Sequence, residues 1–148
     1  MDKYYKKPWA KAYCDGSYFP ETMAYGAGVY IIKGDEEQAK YSYGMAQEAP
    51  GLRQVTGEIK AVSIALDWAI ANGETKLEIL YDYSGIENIA TGAWGAKKKE
   101  TKEYQKYVQG AMEQIEVIFT KVKGHSGNRY HNYADKLAKN GALNAVKA

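Results

Sequence analysis

The stretch that decides the fold is VTGEIKAVSIALDWAIANGETKLEILYD, residues 55–82. In its first half, apolar residues recur at spacings of 4, 3, 4 and 4, which is the pattern of one face of an amphipathic helix. These residues are Val55, Ile59, Val62, Leu66 and Ile70. The helical pattern ends near Asn72-Gly73, and KLEILY, residues 76–81, then forms a short apolar strand that Asp82 closes. Helix followed by strand indicates an αβ unit.

Three strands are predicted upstream of this unit, at residues 9–18, 24–32 and 38–46. Pro20 marks the first turn between them, and Gly34-Asp35 supplies the second. Consecutive short strands joined by such turns are typical of a β-meander.

The downstream part adds two helices, at about residues 84–92 and 101–114, a strand at 115–122 and a last helix at 132–146. The predicted order is therefore βββαβααβα. A meander followed by αβ units predicts an α/β protein (α+β in some schemes). We expect one mixed sheet in which the later strands run parallel to the first, with helices covering both faces.

Composition limits the class of protein. The chain has 148 residues, of which 45% are hydrophobic and 26% charged, so we expect one globular domain over residues 1–148. No apolar run approaches the ~20 residues of a membrane span, and the N-terminal segment has no apolar region typical of a secretory signal. A single cysteine, Cys14, permits no internal disulfide and no cysteine-based zinc site. We therefore expect a cytoplasmic protein without a membrane partner. A monomer is a separate expectation, which composition does not determine.

The net charge of +2 is unevenly distributed. Residues 97–107 contain five lysines and two glutamates, a net charge of 5 − 2 = +3. Such a run is either a solvated helix face or a contact surface for a polyanion, and the sequence leaves both open.

Four acidic residues lie within or next to apolar strand and helix segments, where a charged side chain is unfavourable: Asp15, Glu58, Asp82 and Asp135. If the first and fourth strands are parallel neighbours, Asp15 and Asp82 both lie at carboxyl ends, where open α/β sheets place their sites. Glu58 and Asp135 are predicted near helix starts and can reach the same edge. We expect Asp135 in the first turn of the last helix.

Each acid alone has an ordinary explanation. Asp15 fits a turn, Asp82 fits a helix cap, and the other two fit helix dipoles at N-termini. Together, four carboxylates at one edge would repel one another unless a cation neutralised them. Oxygen ligands without cysteine indicate Mg²⁺ or Mn²⁺, and two such ions about 4 Å apart would form a phosphoryl-transfer site.

Four segments occur in a distinctive order: AYCDGSYFPETMAYGAGVYII (12–32), GEIKAVSIALDWAI (57–70), LEILYDYSGIENIATGAW (77–94) and KVKGHSGNRYHNYADKLAK (121–139). Through these segments the chain resembles the type 1 ribonuclease H family over nearly its whole length. The last segment is the most specific, because it places His125 ten residues before an Asp-Lys-Leu-Ala sequence. The resemblance is closest to the ribonuclease H domains of bacterial viroplasmin-like proteins.

The resemblance implies a ribonuclease H-like mixed five-stranded sheet in the order 3-2-1-4-5. It also implies endonucleolytic hydrolysis of the RNA strand of RNA–DNA hybrids, with 5′-phosphate and 3′-hydroxyl ends, by two Mg²⁺ ions for which Mn²⁺ can substitute. The carboxylates of Asp15, Glu58, Asp82 and Asp135 become the catalytic metal ligands. His125 becomes a mobile-loop histidine that assists proton transfer and product release.

The resemblance further implies contacts to the hybrid. The expected substrate-binding residues are Gly16, Ser17, Gln54, Trp94, Lys97, Lys98 and Lys99. Gln54 can hydrogen-bond a ribose 2′-OH, the group that distinguishes RNA from DNA, and the lysines can bind phosphates of the DNA strand. The other histidine, His131, matches no role, and we expect it to be structural or exposed.

Two other functions remain open. The first is a metal nuclease of the same fold that cleaves DNA, against which Gln54 and the GHSGN sequence argue. The second is a hybrid-binding module without catalysis, which would not require all four acids.

Overall fold

The computed structural model describes residues 9–45, 54–123 and 128–147. These residues form five strands and four helices. The elements are β1 (Ala10–Phe19), β2 (Ala24–Lys33), β3 (Glu36–Met45), α1 (Gln54–Ala71), β4 (Lys76–Tyr81), α2 (Gly85–Thr91), α3 (Lys99–Met112), β5 (Glu116–Lys121) and α4 (Arg129–Lys147).

The strands form one mixed sheet in the order β3-β2-β1-β4-β5. β1, β2 and β3 pair antiparallel along the meander, whereas β4 pairs parallel with both β1 and β5. This arrangement confirms the predicted fold class and strand order. The parallel pairing of β1 with β4 runs from Ala10 opposite Leu77 to Tyr13 opposite Leu80.

Apolar side chains pack on both faces of the sheet, because successive residues of a strand point to opposite sides. Ala12 and Cys14 of β1 belong to the main core, together with Leu66 of α1. Tyr13, between them, joins a second cluster that includes Ala134 of α4. Helix α1 therefore covers one face and α4 the other.

Two glycines allow these helices to approach the sheet closely. A Cβ atom on Gly57 of α1 would lie 2.2 Å from the carbonyl oxygen of Gly26, and one on Gly28 would lie 2.1 Å from that of Ala134. Neither position has room for a side chain. The residues beside these contacts on the helices, including Glu58, are therefore held close to the strands.

Helix α4 begins three residues earlier than the sequence pattern predicts, at Arg129. The reason is Asn128, whose side-chain oxygen accepts hydrogen bonds from the backbone N–H groups of Tyr130 and His131, each at 3.0 Å. An asparagine that binds these first-turn N–H groups is an N-cap. Asp135 consequently lies beyond the first turn of α4, and the prediction that it lies within that turn is wrong.

The predicted third strand extends to Ala46, which lies outside the described residues. Within the described ranges, none of the helices combines the length and hydropathy needed to cross a membrane.

Candidate active site

Asp15 and Asp82 lie at the same edge of the sheet. Asp15 is the sixth residue of β1 and Asp82 directly follows β4. The parallel pairing of the two strands ends at Tyr13 and Leu80, so each aspartate stands two residues beyond that last pair. Asp15 is 6% exposed, and its Oδ1 accepts a hydrogen bond of 2.9 Å from the backbone N–H of Gly16.

Glu58 approaches this edge from α1. It is the fifth residue of that helix and only 4% exposed. The close packing of the neighbouring Gly57 on the backbone of Gly26 and Gly16 keeps this part of α1 against β1 and β2. Among the described residues, Glu58 Oε2 has no hydrogen-bond partner.

Helix α4 contributes residues at a spacing of four, which lie on one helix face. They are His131, Asp135 and Lys139, and all three line the same cleft. The ammonium of Lys139 lies 3.0 Å from Oδ2 of Asp135.

These elements enclose a cleft of about 460 Å³. Its walls come from β1, the segment after β4, α1 and α4. The lining residues are Asp15, Gly16, Ser17, Tyr18, Glu58, Asp82, Tyr83, His131, Asn132, Asp135 and Lys139. All four predicted carboxylates are thus brought to one cleft.

The ordinary explanations for the four acids do not hold. Asp15 lies within β1, opposite Gly28 of β2, and not in a turn. The N-cap position of α2 is Ser84, so Asp82 is not its cap. The first turns of α1 and α4 contain no acidic residue, so neither Glu58 nor Asp135 complements a helix dipole there.

The electrostatics of the cleft disfavour charged carboxylates without a cation. Burial raises the pKa of Asp15, and the nearby charge of Asp82 raises it further. Burial likewise raises the pKa of Glu58 to about 9, with added contributions from Asp15 and Asp82. An additional positive charge in the cleft would stabilise the ionised forms.

His131 was not expected at this site. Its ring is buried, with Nε2 3.2 Å from Oδ2 of Asp82 and 3.8 Å from Oδ2 of Asp15. Burial lowers the pKa of His131, but the hydrogen bond to Asp82 and the charges of the aspartates outweigh it, so the pKa is raised. Of the two expectations for this residue, exposed is wrong because His131 is buried, and its position in the cleft is not part of either expectation.

Donor atoms of three residues can bind one metal ion. One atom from each of Asp15, Asp82 and His131 lies within 4.8 Å of the other two. The buried, unpartnered oxygen of Glu58 belongs to the same cleft. Because an unpaired buried carboxylate oxygen is costly, this donor set fits a divalent cation.

The sequence itself matches the family model of RNase H over residues 8–143. The chain belongs to the RNase H family. Together with the fold, this membership supports ribonuclease H activity. A search of curated proteins found no similar sequence.

Solved structures of RNase H proteins share the fold. RNase H1 from the halophilic archaeon Halobacterium salinarum NRC-1 superposes with a TM-score of 0.72 at 20% identity, covering 92% of this chain and 98% of that chain. The N-terminal RNase H domain of Rv2228c from Mycobacterium tuberculosis was solved as a fusion with maltose-binding protein. It superposes with a TM-score of 0.73 at 18% sequence identity, covering 95% of this chain and 97% of that chain. LC11-RNase H1 in complex with an RNA/DNA hybrid superposes with a TM-score of 0.74 at 19% sequence identity, covering 93% of this chain and 99% of that chain.

The residues that the RNase H resemblance assigns to substrate lie at different distances from the cleft. Gly16 and Ser17 line it. Trp94 is 45% exposed, and its ring stands edge-on to that of Tyr83, with centroids 6.4 Å apart. Since Tyr83 lines the cleft, Trp94 is connected to it through one aromatic contact.

Three lysines assigned to substrate do not line the cleft. Lys97, Lys98 and Lys99 are exposed, just before and at the start of α3. Gln54 is the first residue of α1, and its side chain lies outside the described part of the structure. His125 also lies outside the described residues.

Five residues that line the cleft are not among the residues predicted from the sequence: Tyr18, Tyr83, His131, Asn132 and Lys139. Two of them, His131 and Lys139, flank Asp135 at spacings of four on α4. That spacing was visible in the sequence, and once Asp135 is assigned to the site it indicates both residues.

Proposed function

We propose that this RNase H protein is an endoribonuclease that hydrolyses the RNA strand of RNA–DNA hybrids with divalent metal ions, leaving 5′-phosphate and 3′-hydroxyl ends. One observation carries the proposal: four carboxylates meet in one open cleft, and the most buried of them, Glu58, has an unpartnered oxygen there. Such a cleft accepts cations and a phosphodiester together.

Asp15, Glu58, Asp82 and Asp135 would hold the metal ions. Mg²⁺ fits best because carboxylate oxygens dominate the donor set, and Mn²⁺ is a suitable substitute. When bound, two such ions would supply an activated water and stabilise the leaving oxygen. No carboxylate needs to act as a covalent nucleophile.

The residues around the carboxylates would orient the hybrid. Gly16 and Ser17 lie in the cleft wall next to Asp15, where they can contact the RNA backbone. Gln54, one helical turn before Glu58 on α1, would hydrogen-bond a ribose 2′-OH and so select RNA. LC11-RNase H1 has been solved with an RNA/DNA hybrid, and its shared fold supports the same class of ligand here.

The DNA strand would lie along the start of α3. Lys97, Lys98 and Lys99 expose three adjacent ammonium groups there, which can contact phosphates without reading the base sequence. Trp94 would pack near the same strand, since its exposed ring contacts Tyr83 at the cleft and precedes these lysines in the chain.

His125 would carry a proton during the reaction. It follows Gly124 and precedes Ser126-Gly127, and a histidine titrates near neutral pH. In this role it would assist proton transfer to the leaving oxygen and release of the product.

The test is a cleavage assay with end-labelled RNA–DNA hybrid, single-stranded RNA and duplex DNA, each with Mg²⁺ or with EDTA. The proposal predicts internal cuts in the RNA strand of the hybrid only, and only with Mg²⁺. Cleavage of duplex DNA in place of the hybrid would establish a DNA nuclease of this fold. Hybrid binding without any cleavage would establish a binding module.

A further inference from the structure

The starting observation is that α4 fixes His131 in front of two carboxylates. The Asn128 cap binds the backbone N–H of His131 at 3.0 Å, so the first turn of α4 is held in place. The residue is 3% exposed, and its Nε2 faces both Asp82 and Asp15. A buried ring held between two carboxylates has little freedom to turn away.

The distances suit a common cation. In an octahedral site with bonds of about 2.1 Å, neighbouring donor atoms lie about 3 Å apart and opposite ones about 4.2 Å apart. Nε2 of His131 lies 3.2 Å from Oδ2 of Asp82 and 3.8 Å from Oδ2 of Asp15. Both separations fall within that range.

A second observation points independently to a cation in the same cleft. Glu58, which lines the same cleft, is only 4% exposed, and its Oε2 has no partner among the described residues. The other ring nitrogen of His131, Nδ1, is also buried without a partner in the described part of the chain. No hydrogen bond at Nδ1 from the described residues therefore fixes the tautomer of the ring, and Nε2 is the ring nitrogen that faces the two carboxylates.

We propose that Nε2 of His131 is a ligand of the metal ion that Asp15 and Asp82 share. This inference rests on the proposed metal site, and it adds a nitrogen donor to a set otherwise made of oxygens. Imidazole binds Mn²⁺ and later transition ions more strongly than Mg²⁺, which prefers oxygen. The nitrogen donor therefore shifts the preference of the site from Mg²⁺ toward Mn²⁺, relative to a site made of carboxylates alone.

The test uses the whole chain, freed of metal and loaded with Mn²⁺, and reads pulsed electron paramagnetic resonance for ¹⁴N coupling to the ion. The chain has two histidines, so the control is His125→Gln, in which His131 is the remaining one. We expect ¹⁴N coupling in the wild type and in His125→Gln, and its loss in His131→Gln. The Mn²⁺ affinity of His131→Gln falls about 10-fold or more, and its Mg²⁺ affinity falls less.

If His131→Gln fails to fold, a second measurement that keeps His131 still tests the inference. Labelling the histidines of His125→Gln with ¹⁵N replaces the ¹⁴N coupling by a ¹⁵N coupling if His131 is the ligand. Bound Mn²⁺ without nitrogen coupling in the wild type, or coupling that disappears only in His125→Gln, overturns the inference and leaves the proposed metal site standing. Failure of the wild type to bind Mn²⁺ overturns both.

Discussion

Asp15 and Asp82 stand at the same level of two parallel strands, each two residues beyond the last pair, Tyr13 and Leu80. Beyond that pair the described ladder between the strands ends, and the two carboxyl groups face a common cleft. The mutual repulsion of these groups contributes to the raised pKa of Asp15. The site is therefore strained when no cation is bound, and its strain is measurable.

The first prediction is that Asp15→Asn stabilises the metal-free protein. The amide keeps the volume and the acceptor for the Gly16 N–H, but it removes one of the repelling charges. We expect a gain of about 1–2 kcal/mol in the free energy of unfolding, within the range of single stabilising substitutions. Thermal melts in EDTA measure it.

Two controls accompany the thermal melts: a substitution of an aspartate far from the cleft, and the addition of a metal ion. Asp35→Asn changes an exposed residue in the turn between β2 and β3 and should leave the melting temperature unchanged. Added Mg²⁺ should stabilise the wild type by binding its native state, and Asp15→Asn much less. A lower melting temperature of Asp15→Asn in EDTA would show that Asp15 is a hydrogen-bonded structural residue.

The second prediction concerns pH. Burial raises the pKa of Glu58 from 4.5 to about 9, so between these values the folded protein keeps a proton that the unfolded chain releases. The free energy of unfolding without metal therefore falls as the pH rises through that window. The raised pKa values of Asp15 and His131 act in the same direction.

Melts in EDTA at about pH 5.5 and about pH 8.5, both inside this window, test the dependence. We expect a melting temperature lower by a few degrees at the higher pH, and a smaller difference in Glu58→Gln, which has no carboxyl group to titrate. A wild-type protein that is more stable at the higher pH, or a Glu58→Gln variant with the same pH dependence, would contradict the assignment of Glu58 as a buried acid.

Most of the fold could be predicted from the sequence, because its helix and strand periods are clear. The apolar spacing from Val55 to Ile70 corresponds to α1, and KLEILY corresponds to β4. The start of α4 differs from the prediction because Asn128, and not a residue nearer the apolar pattern, caps the helix. Capping depends on one side chain, so periodicity does not reveal it.

The four carboxylates were also predictable, since their positions at strand ends and helices converge once the sheet order is known. For His131 the sequence offers only its spacing of four from Asp135, which places both residues on one face of α4, and the resemblance to ribonuclease H gives it no role. Its burial between Asp15 and Asp82 depends on the orientation of α4 against β1 and β4. Only the three-dimensional packing provides that information.

The third prediction concerns the lysines before and at the start of α3. Replacing Lys97, Lys98 and Lys99 together by alanine should weaken hybrid binding with little change in the saturated cleavage rate. The logarithm of the association constant falls linearly with the logarithm of the salt concentration. The steepness of this line should decrease by about one unit for each phosphate that the variant no longer neutralises. Binding titrations at several salt concentrations measure this slope.

The control is Lys40→Ala on β3, at the opposite edge of the sheet from β5, which should leave the slope unchanged. An unchanged slope in the triple variant would mean that these lysines point away from the hybrid.

The fourth prediction is that His125→Ala slows multiple turnover by about 10²-fold, within the ~10²–10⁴-fold range for a proton-transfer group. The defect should be larger at steady state than in a single turnover, because His125 also assists product release. Comparison of the two rates in Mg²⁺ checks this. Complete loss of activity together with loss of metal binding would instead make His125 a ligand.

The most direct test of the central claim is the single-turnover rate of RNA-strand cleavage in Mg²⁺ at saturating hybrid, for wild type, Asp15→Asn and the control Asp35→Asn. The account predicts that Asp15→Asn still binds the hybrid but cleaves it about 10³-fold or more slowly, equivalent to about 4 kcal/mol of transition-state stabilisation. Asp35→Asn should cleave at the wild-type rate. Cleavage by Asp15→Asn at the wild-type rate would contradict the claim that the carboxylates of this cleft form the active site.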